Sequence, residues 1–353
     1  MFHTEDLPLA GALGLERVLP TWQLLGGHAS YFFQTPEWIA SLYGHIVDDV
    51  VLAALVDSLR PVSVSILRRS LRRRWGISLE VLEAPGNLEE FRLFADGILA
   101  RDADDRCSFD EIMRHLGSWH VMQLSRLRVG SPWLALANER AVVEEEPEQG
   151  VGVLDTARDA DAWWREMPKN MRDSVRKARN RSERGGGSEV VLSTGGGIAG
   201  GFEQFVLLES SQQKGRQATD LAHKPAWRSL LRGYLVASEM AEVRSLNIDG
   251  RIAASQLTVR VGRTLFLLKI AYDEQLAHLS PGNVLMANLV EICCEDPNVD
   301  RIDCTVWQPW HQRWGMFREP TFRLTAFNSM SVRGALAGVV WNSRRHLVDR
   351  RHR

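Results

Sequence analysis

Lys269 and Tyr272 lie in an apolar, strand-like run, Phe266-Leu267-Leu268-Lys269-Ile270-Ala271-Tyr272, and Asp273 follows it. A lysine inside such a run is costly to bury without a partner, and Asp273, Glu209 and Asp303 are carboxylates that could pair it. The strand end then either lines a site where an activated acyl group meets a nucleophile, or carries an edge lysine out to solvent. Asp303 falls in a second strand-like run, opposite its apolar residues. A carboxylate there can take a proton from an amine or hydroxyl, or orient another base; it can equally pair with Arg301 or Arg313. His311 lies among Trp307, Trp310 and Trp314. Histidine titrates near neutral pH and is the commonest general base, and the tryptophans could form a water-poor pocket. Packing on those rings is the alternative. Cys304 could take an acyl group as a thioester, but it is in phase with Ile302 and Val306 and reads as core.

Ser280-Pro281-Gly282-Asn283 has the pattern of a helix start, with Ser280 as N-cap and Pro281 at the first helical position. A helix N-terminus offers unpaired N–H groups and a partial positive charge. Glycine lets a phosphate come close to that backbone. The same four residues also make a plain capped start. The cysteines, Cys107, Cys293, Cys294 and Cys304, form no CxxC pair and no zinc-like spacing, so no metal is expected. They read as buried thiols of a reducing compartment.

The elements that must position these residues follow from the rest of the chain. Its 353 residues suit two domains, and a charged fraction of 25% with a net charge of -1 fits a folded globular protein without strong electrostatic bias. The N-terminus has acids early and no basic start before an apolar stretch. No apolar run approaches the roughly 18 residues that span a bilayer. The expectation is a cytoplasmic protein.

In the first half, Val50 to Val56 and Val62 to Leu67 read as paired strands, Asp110 to Leu116 as helix, and Trp119 to Leu124 as strand. Glu144-Glu145-Glu146-Pro147-Glu148 reads as a solvated loop, and the glycine triplets at 185–187 and 195–197 as loops. In the second half, helices carry Phe202, Phe205, Val206 and Leu208, and then Trp227, Leu230, Leu231, Tyr234 and Leu235. A three-strand meander follows over Glu242 to Ile248, Ile252 to Arg260 and Thr264 to Tyr272, with Asp249-Gly250 as its hairpin turn. A helix from Ser280, a strand over Val299 to Val306 and a last strand at Phe322 to Phe327 complete an α+β order with a mainly antiparallel sheet and one helical crossover. Domains are expected over 1–150 and 151–328, with a basic amphipathic tail over 329–353.

That order is the order of the GNAT fold. The wording of the chain resembles the double-GNAT acyltransferases associated with exopolysaccharide and cellulose biosynthesis, relatives of the Fem peptidoglycan transferases. The matching segments are Phe33-Gln34-Thr35-Pro36-Glu37-Trp38, the basic stretch Met167 to Arg181, the hairpin Leu246 to Gln256, and Lys269 to Gly282 with its YDE and SPG elements. Asp303 with Trp314 downstream matches the closing pattern. The chain departs from the family in carrying Trp310-His311 where Tyr-Lys is usual, and it lacks the glycine-rich RxxGxG phosphate loop. The resemblance implies two tandem GNAT-like domains and transfer of an acyl group from acyl-coenzyme A to an amine or hydroxyl of a sugar, lipid precursor or envelope intermediate. Lys269, Tyr272, Asp273, Asp303 and His311 would surround the reaction, and Ser280, Pro281, Gly282 and Asn283 the coenzyme A pyrophosphate. Two alternatives stay open: a Fem-like transferase using aminoacyl-tRNA, with the basic helix from Lys169 tracking RNA, and a non-catalytic binding component. Near-neutral charge speaks against nucleic acid. The tail, with Val332, Leu336, Val339 and Val340 before Arg344, Arg345, Arg350, Arg351 and Arg353, could rest on an anionic inner-membrane surface or pack on the body.

Overall fold

The computed structural model describes residues 2–9, 19–20, 22–43, 50–57, 60–74, 76–84, 98–100, 118–131, 133–134, 141–147, 149–184, 186–211 and 213–351. The expected helix at Asp110 to Leu116, Cys107 and Gly185 lie outside these residues. The chain forms two compact units: Met1–Gln149 with Pro320–Arg353, and Gly150–Glu319.

The first unit opens with β1 (Phe2–Leu9), α1 (Pro36–Tyr43), β2 (Val50–Asp57), β3 (Arg60–Arg74), β4 (Ile77–Glu83), β5 (Ile98–Ala100), β6 (Val121–Leu127) and β7 (Ala141–Glu145). The expected β2–β3 pair is antiparallel, and β3 runs on to Arg74 because β4 pairs with it from Arg68–Glu83 to Arg74–Ile77. The Phe33 to Trp38 motif is a helix start: the Thr35 hydroxyl accepts the Trp38 N–H at 3.4 Å, Pro36 begins α1, and Trp38 packs edge-on to Phe32. The acidic stretch is not a solvated loop. Glu144 and Glu145 belong to β7, and buried Glu146 accepts the Arg126 N–H at 2.7 Å and Arg323 at 3.0 Å. A carboxylate with such partners can be buried without leaving an unmatched charge.

The second unit contains β8 (Val151–Asp155), α2 (Ala160–Glu166), α3 (Lys169–Arg184), β9 (Ser188–Ser193), α4 (Ile198–Ser210), α5 (Pro225–Ala237), β10 (Ala241–Ile248), β11 (Arg251–Val261), β12 (Thr264–Tyr272), α6 (Pro281–Glu295), β13 (Arg301–Asp303) and β14 (Phe317–Glu319). The meander forms as expected. Asp249 and Gly250 both take positive φ, 52° and 70°, the backbone of a two-residue primed turn. Crossover through α6 makes β13 parallel to β12. The apolar faces read from the sequence for α4 and α5 are the buried ones, including Phe202, Phe205, Leu230 and Tyr234. Gly195–Gly197 is a 3-10 turn leading into α4 rather than an open loop.

After β14 the chain returns to the first unit with β15 (Phe322–Phe327) and α7 (Val332–Arg351). The sequence order places Phe322 to Phe327 in the second half; in the structure this strand pairs with β6 and β7. The two sheets share one plan. Their orders are β1-β2-β3-β4-β6-β15-β7 and β9-β10-β11-β12-β13-β8-β14, with β5 beside β3. Each has one parallel pair, β4–β6 and β12–β13, followed by an antiparallel strand next to it. That strand is β15 in the first sheet and β8 in the second. Each sheet therefore receives its sixth-place strand from the chain segment adjoining the other half. Among the described residues no helix is long and apolar enough to cross a membrane.

Candidate functional site

β12 pairs with β13 only over Thr264–Arg301, Leu265–Ile302 and Phe266–Asp303. Beyond Phe266 the ladder stops, while β12 continues to Tyr272. On its other edge β12 is bulged: Leu257 faces Lys269 and Thr258 faces Leu267, leaving Leu268 extra. A bulge bends its strand and interrupts the ladder there. Two cavities occupy the gap, one of about 520 Å³ and one of about 280 Å³. Ile270, Ala271, Tyr272 and Trp310 line both.

Glu209, Lys269, Thr305 and His311 line the larger cavity. Lys269 Nζ is 3.0 Å from Glu209 Oε1, and Glu209 Oε2 accepts the Leu221 N–H at 3.0 Å. Of the three carboxylates considered for this lysine, Glu209 on α4 is the partner. It is 1% exposed, so the ion pair is what makes the burial of either charge tolerable. His311 is also buried. Its Nδ1 accepts the Gln308 N–H at 3.1 Å, and Trp310 and Trp307 meet its ring edge-on with centroids at 4.0 and 5.5 Å. Desolvation pushes its pKa down to about 4. With Nδ1 accepting, the proton of the neutral ring sits on Nε2. His311 therefore offers a hydrogen-bond donor, not a free basic nitrogen. Gly152 makes room for it: a Cβ there would fall 2.2 Å from Nδ1.

Asp303 and Asp273 line neither cavity. Asp303 is fully buried, its Oδ1 accepting the Thr305 N–H at 2.8 Å with Arg301 at 3.8 Å. Thr305 has φ 61°, and the carboxylate holds that strained turn. The expected strand over Val299 to Val306 is shortened to β13 by this turn, which lets Thr305 and Val306 line the cavity. Asp273 pairs with Arg251 at 2.6 Å and accepts the Gln275 N–H at 2.9 Å, fixing the chain after β12. Burial raises the Cys304 thiol well above its ordinary value, and its sulfur lies 3.7 Å from Met316 Sδ, so it is a poor nucleophile.

The smaller cavity reaches the start of α6 through Gly282 and Asn283, while Ser280 and Pro281 stay behind its wall. Ser280 occupies the N-cap position with φ 53°, but its side chain does not cap. Its carbonyl accepts the N–H groups of Asn283 and Val284 at 3.0 and 3.3 Å. The nearest atoms that a Cβ on Gly282 would meet belong to Tyr272, the first at 3.9 Å. Packing inside the protein does not require glycine there. Ser174, Gln256 and Arg313 also line this cavity. Gln256 is a residue the sequence reading did not single out: it is buried and its Oε1 has no hydrogen-bond partner. A polar side chain in the apolar β11 pattern was the available signal.

Residues 169–307 match the family model described as an acetyltransferase (GNAT) domain. No curated protein matches the sequence. Among solved structures, the crystal structure of FemX superposes with a TM-score of 0.57 at 10% identity, covering 92% of this chain and 98% of that one. A conserved protein of unknown function from Bacteroides thetaiotaomicron gives 0.53 at 12% identity over 93% and 100%. The C-terminal domain of a protein described as a lysylphosphatidylglycerol synthetase, from Agrobacterium fabrum, gives 0.52 at 10% identity over 92% and 96%. At these identities the likeness is one of fold. The chain folds as two tandem GNAT-like units, and residues 169–307, within the second, match the model of an acetyltransferase (GNAT) domain.

Proposed function

We propose that the protein transfers an acyl group from acyl-coenzyme A to an amine or hydroxyl by direct attack in a ternary complex. The observation that carries this reading is that two cavities share Ile270 to Tyr272 as lining, one ending at the first turn of α6 and the other at the Lys269–Glu209 pair and His311. The pyrophosphate would rest on the backbone at Gly282 and Asn283. The acyl chain would follow β12, with the thioester carbonyl near the Leu268 bulge, where the interrupted ladder leaves backbone groups to polarise it. The acceptor would enter the larger cavity. Proton transfer is assigned to the Lys269–Glu209 pair, and orientation of the acceptor to His311 through Nε2–H. Asp303 becomes a positioning residue behind the wall, and Asp273 a structural one.

The acceptor class suggested by the resemblance, a sugar, lipid precursor or envelope intermediate, belongs to this reading. So does peripheral contact with an anionic bilayer. α7 buries Gly334, Ala337 and Gly338 and turns Val332, Leu336 and Val339 to solvent, and its sequence ends in arginines with Asp349 as the one nearby acid. Sedimentation with anionic vesicles should fall in a Val332→Ser, Leu336→Gln, Val339→Ser variant; equal sedimentation ends that part of the proposal.

The deciding experiment is thermal melting of the whole protein against coenzyme A and acyl-coenzyme A thioesters from acetyl to palmitoyl. Ligand at about 100 times its dissociation constant adds roughly 2.7 kcal/mol. A rise that peaks at one chain length supports the donor and reports the depth of its pocket. No rise with any thioester, together with salt-sensitive binding of aminoacyl-tRNA, would move the donor to tRNA.

A further inference from the structure

The first unit holds a cavity of about 570 Å³ that acyl transfer does not use. It lies on one face of the β4–β6–β15 strands. Register fixes the rows of that face. Val81, Val121 and Phe327 stand side by side and form an apolar row, which packs with Ala337 of α7. The next row on the same face is Glu83, Gln123 and Thr325, with Arg68 opposite Glu83. Between them, Leu82, Met122 and Ala326 point to the opposite face and its core. The central strands of the sheet thus carry a polar row where an ordinary covered face would be apolar.

That row is costly as it stands. Thr325 is 2% exposed and Glu83 6%, yet Thr325 Oγ1 and Trp341 Nε1 at the rim make no hydrogen bond, and Glu83 Oε1 has only the Arg68 Nε charge at 3.8 Å, beyond hydrogen-bond reach. Buried polar atoms without partners destabilise a fold. Cations surround them. Arg72 pairs with Glu83, Arg323 pairs with Glu146 at 3.0 Å and reaches Ser125 at 3.3 Å, and Arg74 lies over the Trp341 ring at 5.8 Å. A guanidinium has five N–H donors in a fixed fork, so one ion pair does not exhaust it.

We propose that this cavity binds a phosphorylated polyhydroxy compound, a sugar phosphate in chemical class, with its phosphate among Arg72, Arg74 and Arg323 and its hydroxyls on Glu83, Gln123 and Thr325. The arginine fork matches phosphate oxygens. Carboxylate, amide and hydroxyl together both donate to and accept from sugar hydroxyls. The apolar row forms the floor.

The test is isothermal titration of the whole protein with glucose 6-phosphate, ribose 5-phosphate, inorganic phosphate and glucose. Saturable binding of a sugar phosphate is expected, roughly tenfold or more tighter than inorganic phosphate, with no heat from glucose. Arg74→Ala and Thr325→Val should each weaken that binding by about tenfold. Thr325→Val also has a readout that needs no ligand: replacing an unpartnered hydroxyl by a methyl should leave the melting temperature unchanged or raise it. Absence of binding by both sugar phosphates at millimolar concentration overturns the proposal. So does affinity unchanged in both variants, or a Thr325→Val protein that melts lower than the parent. Because the readout is binding within the first unit, failure of the acyl-transfer reading would leave it standing, and the reverse also holds.

Discussion

His311 shows how burial can decide a residue's chemistry. A histidine among tryptophans suggests a general base when met in sequence, but the Gln308 N–H occupies Nδ1 and desolvation keeps the ring neutral down to about pH 4. The unfolded chain would protonate it near its ordinary value of about 6.5, so between those values the unfolded state binds more protons and stability falls as pH drops. Urea unfolding at pH 7.5 and pH 5 should show the parent losing about 2 kcal/mol more than a His311→Asn variant across that interval; parallel losses would contradict this. Asp303 makes a second case. Its Oδ1 holds the Thr305 N–H in a left-handed turn. Asp303→Asn should keep most activity because an amide oxygen can accept the same bond, while Asp303→Leu should cost about 1–3 kcal/mol and lower turnover. Near-total loss of turnover in the Asn variant with unchanged melting would restore Asp303 as the base. That Lys269 would need an opposite charge if buried was legible in sequence, because a charge in an apolar run demands one; which of Asp273, Glu209 and Asp303 supplies it was not. The burial of Asp303 was not, because strand alternation assumes a strand that continues, and β13 stops at that residue.

At the scale of elements, the meander, the α6 crossover and the start of α6 were legible because their signals are local: two positive-φ turn residues, an apolar period, a proline at the first helical position. The gap between β12 and β13 was not, since it depends on where a parallel ladder ends and on a bulge opposite Leu257 and Thr258. The role of Gly282 can be tested directly. Gly282→Val places its first side-chain atom no closer than 3.9 Å to Tyr272, so the melting temperature should hold, while coenzyme A affinity should drop by roughly tenfold as the backbone is screened from phosphate. Unchanged affinity would remove the first turn of α6 from the donor site. Glu146 carries the same lesson from the other unit. An acidic cluster reads as solvated surface until a distant arginine, Arg323, meets it.

At the scale of the whole molecule, strand type is written locally but sheet membership is not. Phe322 to Phe327 has a legible strand pattern, and only the pairing with β6 and β7 assigns it to the first sheet. Two fragments test this. Residues 150–319 contain every strand of the second sheet and should unfold cooperatively on their own. Residues 1–149 lack β15, which leaves β6 and β7 without the strand between them, and should give no cooperative transition. A folded 1–149 fragment would show that β15 is dispensable. The late position of β15 also bears on synthesis. As the ribosome releases the chain from its N-terminus, the first sheet must wait for β15, which emerges only after the whole second unit, while the second sheet already has all of its strands. At roughly 5–20 residues per second that delay is on the order of ten to tens of seconds, during which β6 and β7 present open edges to other chains. The half that is made first is the half that finishes last, and its exposure to chaperones and to misassembly is set by the order of the sequence.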